Sequence, residues 1–310
     1  MPRQGAALVE STWWRSWDPG QEAELPASAI AAVRAQPRFH EAFRHTMLGV
    51  LQLSDRGSEF HRIIVDNLTT VLGVTALHLD ATGGLTHRRL RDFAGVKGAL
   101  SGGRISAVLL RMQMIGYVHA ATQPVQGAVK VYRPTLKMTA AFQVRFRLEL
   151  ESILIMAPEM ADQLAYYDTP EGFRAFMALL GAYAADAVRR PRPELRALEM
   201  FGTRRAGGLV LAALIVAAAE AADRFPAAGP AVISMAALSR RFRVSRTHIL
   251  RLLREAEAVG FFTRGAADGE GVVQPALVEA LEIYCAACWI GFAVLADLAM
   301  RARPVIEVAA

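Results

Sequence analysis

The stretch VSRTHILRLLREAEAVGFF at 244–262 shares its skeleton with LSGGRISAVLLRMQMIGYV at 100–118. Ser101 falls opposite Ser245, Ile105 opposite Ile249, Val108 opposite Leu252, Leu109 opposite Leu253, Met112 opposite Ala256 and Gly116 opposite Gly260. Upstream, LTHRRLRDFAGV lines up with ISMAALSRRFRV, which sets Leu90 over Leu238 and Val96 over Val244; the first copy carries KGAL as an addition in its turn. Further back, QPRFHEAF resembles TPEGFRAF, with Pro37 over Pro170 and Phe43 over Phe176. Internal self-similarity of this kind marks one supersecondary unit used twice. The expected organisation is an N-terminal arm at 1–34, units at 35–157 and 158–304, and a tail at 305–310.

Helical periodicity dominates from Ser28 onward, over 38–53, 58–80, 86–94, 101–115, 135–156, 170–189, 203–224, 235–242, 245–259 and 276–302. Two alternating pairs interrupt it: YVHAAT with AVKVYRP around a tip at 122–127, and the weaker FFTRG with GVVQP. The expected fold class is therefore mainly α with small β wings. The chain is 53% hydrophobic, yet its longest uncharged apolar runs, Gly207 to Ala219 and Ile283 to Ala296, are 13 and 14 residues. A membrane-spanning helix needs ~20, so these read as buried core helices, with no membrane partner. No apolar stretch with a cleavage site opens the chain, and a cytoplasmic location is expected.

In the second copy, Ser234 is placed to cap a short helix and Ser245 the next one. Ile249, Leu252, Leu253, Ala256 and Val259 form one face of that helix, while Thr247, His248, Arg251, Arg254 and Glu255 project from the other. A short helix, a tight turn, a second helix with donors on its outer face and a glycine leading into a strand read together as a winged helix-turn-helix. The DNA-binding candidates here are Ser245, Arg246, Thr247, His248, Arg251 and Arg254. A capping serine also leaves free N–H groups and the positive end of the helix dipole towards a phosphate. The first copy presents Gly103, Arg104, Ala107, Leu110, Arg111 and Met114 outward, a poorer reading face. Its candidates are Ser101, Arg104 and Arg111, with Lys130 and Arg133 on the longer wing for phosphate contacts; the alternative is a degenerate copy used for packing or effector control.

These stretches resemble bacterial winged-helix transcription regulators, and the MarR-like group is nearest. LTHRRLRDFAGV…SGGRISAVLLRMQMIGYV…VKVYRPTLKM follows that group's order of helix, helix, wing and C-terminal helix, and MAALSRRFRVSRTHILRLLREAEAVGFF looks like the same motif with some GntR-type flavour. The likeness covers about 50 residues in each half. It departs from the group in TQPVQG, which lacks an acidic-x-Arg wing tip, and in the shortness of the second wing. MarR-like chains are usually homodimers of one copy, so two copies here imply tandem duplicated units joined by a helical pseudo-dimer junction, made by 38–53, 135–156, 170–189 and 276–302. The resemblance further implies a transcriptional regulator that binds double-stranded DNA as a monomer. It also implies a small hydrophobic effector, held in an apolar cleft between junction and winged units.

A net charge of +6 and a pI of about 9.7 suit a polyanionic partner without identifying one. No GxSxG, HExxH, GxGxxG with an acidic follow-up or Cys/His cluster occurs, so neither an enzyme nor a cofactor is expected. LSGGR at 100–104 matches an ABC-ATPase signature, but without a GxxxxGK[ST] phosphate loop it reads as coincidence. The rival function is a winged-helix scaffold that binds protein alone. Cys285 and Cys288 stand in an apolar helical pattern and read as core residues, with a redox pair as the alternative. Trp13, Trp14 and Trp17 read as rings that pin the arm to an apolar groove; an effector lid or a base-stacking surface are the alternatives.

Overall fold

The computed structural model describes residues 13–17, 25–56, 67–95, 102–121, 130–189, 198–265 and 269–303. It is mainly helical, with two small antiparallel sheets. The helices are α1 (Ala27–Arg34), α2 (Phe39–Asp55), α3 (Asn67–Ala81), α4 (His87–Gly95), α5 (Gly102–Met114), α6 (Leu136–Met156), α7 (Ala161–Tyr167), α8 (Pro170–Arg189), α9 (Glu199–Gly202), α10 (Gly207–Ala222), α11 (Met235–Phe242), α12 (Arg246–Ala258) and α13 (Pro275–Arg301). The strands are β1 (Leu85–Thr86), β2 (Val118–Ala120), β3 (Val131–Pro134), β4 (Gly229–Val232), β5 (Phe262–Arg264) and β6 (Glu270–Val273).

One succession occurs twice: helix, strand, helix, helix, strand, strand, from α3 to β3 and from α10 to β6. Each sheet places its last strand in the middle, in the orders β1-β3-β2 and β4-β6-β5. Local hydrogen bonds recur with it. Thr86 Oγ1 accepts from Arg89 N (3.1 Å) at the start of α4, and Ser234 Oγ from Ala237 N (3.2 Å) at the start of α11. Such a cap contributes about 1 kcal/mol. Gly116 and Gly260 leave α5 and α12 with φ of +73° and +75°, a left-handed turn that a side chain would strain. Tyr117 N then donates to Met112 O (2.8 Å) and Phe261 N to Ala256 O (2.9 Å), and those two residues' carbonyls accept from Thr135 N and Gln274 N (2.8 and 3.0 Å).

The remaining long helices cross between the two successions. α2 packs on α10 while α8 packs on α3; α6 lies along α2 and α13 along α8, and α6 meets α13. Phe43, Phe142 and Phe176 are fully buried there, each stabilising by about 1.5–3 kcal/mol relative to exposure. α8 and α3 approach closely because position 181 is glycine: a Cβ there would lie 2.2 Å from His78 Cβ. The His78 Nδ1–H donates to the Ala178 carbonyl (2.7 Å), and burial holds its imidazole below the usual histidine range. α13 is long and apolar enough to cross a bilayer by composition, but 67% of its most apolar window is buried inside the molecule, against α1, α6, α7 and α8.

Several expectations need correction. β1 and β4 are third strands that the alternating pattern does not announce, and α7 and α9 are additional short helices. The N-terminal arm carries α1, which packs on α13, and Trp13, Trp14 and Trp17 are buried, in line with rings that pin the arm to an apolar surface. Trp17 sets its ring edge on Tyr183 of α8 at a centroid separation of 5.9 Å. The expected wing tip at 122–127 lies outside the described residues.

Candidate nucleic-acid interface

Helix α12 is fixed from both ends and from behind. Arg243 takes a left-handed φ of 51° to end α11, Val244 N donates to Ser239 O (3.2 Å), and Ser245 Oγ accepts from His248 N (3.1 Å) to start α12. Ile249, Leu252, Leu253 and Ala256 are buried on its inner face. At its far end Glu257 accepts from the Arg264 guanidinium (2.6 Å) and backbone amide (3.2 Å), tying the helix to β5. Those bonds hold the Glu257 carboxyl below the ordinary carboxylate range.

The outer face divides in two. Ser245, Arg246, Thr247, Arg251 and Arg254 are exposed, as a donor-rich reading face requires. His248 and Glu255, expected to project with them, are engaged by the segment that joins α9 to α10. The His248 Nε2–H donates to the Arg205 carbonyl (2.8 Å), leaving Nδ1 to accept from Arg251 Nη2 at a long 3.5 Å. The Glu255 carboxylate takes both Arg204 Nη2 (2.8 Å) and Arg204 Nε (3.3 Å). These two residues act as anchors because a backbone carbonyl and a forked guanidinium lie within reach of them.

The matching face of α5 carries different chemistry. Leu110 is 58% exposed where α12 has Arg254, and Met114 is 80% exposed where α12 has Ala258. Gly103, Ala107 and Arg111 are exposed, while Arg104 is placed on α5 by its backbone. Ser101 lies outside the described residues. Lys130 is exposed on the wing, its Nζ 5.4 Å from the Tyr132 ring centroid. Arg133 is exposed but engaged: its Nη1 meets Asp80 Oδ1 (2.9 Å), and Asp80 Oδ2 meets Arg174 Nη1 of α8 (2.9 Å). The Asp80 carboxylate, shared by the two arginines, ties β3 and α8 to α3. The sequence gives no warning of that, since Asp80 and Arg174 are remote from the wing.

Behind α12 lies a cavity of about 300 Å³, between α2, α6, α13 and the start of α10. Phe146, Phe201, Phe292 and Leu211 give it an apolar wall, while Arg145 and Arg204 bring charge to its rim. Glu149 is buried on the same wall, accepting from Arg145 Nη1 (2.8 Å) and Trp289 Nε1 (3.1 Å). Residues 201–205 thus line the cavity with Phe201 and Arg204 and grip α12 with Arg204 and Arg205. In the sequence GTRRAGG shows only as a break between helical patterns.

No protein-family model, curated protein or solved structure matches the chain.

Proposed function

We propose that the chain is a sequence-specific DNA-binding transcriptional regulator, built from two winged helix-turn-helix units that act together as a single-chain pseudo-dimer. The observation that carries this reading is the repeated succession with the same strand order, in which α12 leaves Arg246, Thr247, Arg251 and Arg254 exposed on one face. A helix with arginines on its first turns, capped by a serine and flanked by a strand pair, has what entry into a major groove needs: base-edge donors, a phosphate site at its N-terminus and a wing beside it. The crossed packing of α2 on α10 and α8 on α3 supports a fixed spacing between the units. In this reading the second unit specifies sequence and the first contributes position, since Leu110 and Met114 offer no base-edge donors. The cavity behind α12 is the place for a small, mainly apolar effector, because its occupant would lie against Arg204, which holds Glu255.

Selection from a pool of randomised duplexes with the purified full chain tests the reading. It should enrich one motif whose information is concentrated in one half. Recovery of no enriched motif, with the protein shown to be folded, would favour the scaffold that binds protein alone.

A further inference from the structure

All the cysteine in this 310-residue chain is in one place, Cys285 and Cys288 on α13, and both side chains line the cavity behind α12. Residues three apart on a helix bring their Cβ atoms to about 5–6 Å on one face. Met47 of α2 lines the same cavity, and the Tyr284 hydroxyl shares a hydrogen bond with Cys288. Among the described residues no group of three or more His, Cys, Asp or Glu is placed to hold a metal, which disfavours zinc with its four ligands.

We propose that Cys285 and Cys288 form a two-thiolate site for a soft monovalent metal ion of the copper(I) class, with Met47 as an additional soft donor. Thiolate and thioether ligands select such an ion over harder ones, and it is satisfied by two sulfurs, where zinc is not. Uptake written from the thiols exchanges protons: two thiols and one monovalent cation give one dithiolate complex of net charge −1 and two released protons, with no change in oxidation state. The site stands whether or not the chain binds DNA.

The test uses the full, reduced chain under anaerobic conditions and no DNA. Copper(I) is supplied from its complex with bicinchoninate, whose colour falls as the ion is withdrawn. The expected result is withdrawal of one ion per chain with release of two protons, and loss of that withdrawal in both Cys285→Ser and Cys288→Ser. Should Cys285→Ser fail to fold, Cys288→Ser, at a half-buried position, decides alone. No withdrawal by the native chain, or retention of the ion by a folded single variant, would overturn the proposal.

Discussion

Raising monovalent salt from about 50 to about 200 mM is expected to weaken binding to the selected duplex by about 10³-fold. The exposed cations near α12 include Arg240, Arg243, Arg246, Arg251 and Arg254, and the first unit adds Lys130. Neutralising about six phosphates releases a matching number of condensed counterions, and the affinity then falls steeply with salt concentration. Arg241 and Arg133 are left out of that set because Asp55 and Asp80 already hold them. Anisotropy titrations over a salt series give the slope directly. An affinity indifferent to salt is incompatible with binding through this face.

Arg251→Ala is expected to weaken binding to the selected motif by about 1–3 kcal/mol, roughly 5- to 150-fold, and to relax preference at one position. Arg251 is exposed on the outer face of α12, one turn after its capped start, and its loss leaves the buried face of Ile249, Leu252 and Leu253 untouched. The stability of the free chain should therefore change little. Arg104→Ala, on α5, should cost less, because the neighbouring Leu110 and Met114 give the first unit little to read with. Competition titrations with motif variants separate the cases. Equal, sequence-independent losses from both substitutions would assign both arginines to phosphate alone.

The helices were the legible part of this sequence. The span 235–242 follows from Ser234 as a cap and a run of apolar positions at helical spacing, and the structure has α11 there. The paired positions Leu90 and Leu238, Ile105 and Ile249, Leu109 and Leu253, and Met112 and Ala256 are all buried, as residues at the same place in a repeated pattern should be. The outer strands were not legible. β1 is two residues long, too short to alternate, and β4 reads GPAV, whose glycine and proline signal a break. Each becomes a strand only because β3 or β6 offers it an open edge.

The face of α12 was legible in outline but not in detail. A helical wheel puts Thr247, His248, Arg251, Arg254 and Glu255 on one side, and nothing in it distinguishes a residue facing solvent from one facing another segment. His248 and Glu255 are taken by Arg205 and Arg204, which precede them by more than forty residues and belong to a turn. The Asp80 cluster with Arg133 and Arg174 is hidden for the same reason. Long-range ion pairs leave no periodic trace in a sequence.

Under the proposed function, one chain supplies two unequal winged units to one DNA site. This is tested most directly by footprinting the selected motif with purified protein while the mass of the complex is measured. One chain per duplex is expected, protecting an asymmetric site about two helical turns long, with the sequence-specific half against α12. An inverted repeat occupied by two chains, each lost on Arg251→Ala and neither affected by changes to α5, would contradict it.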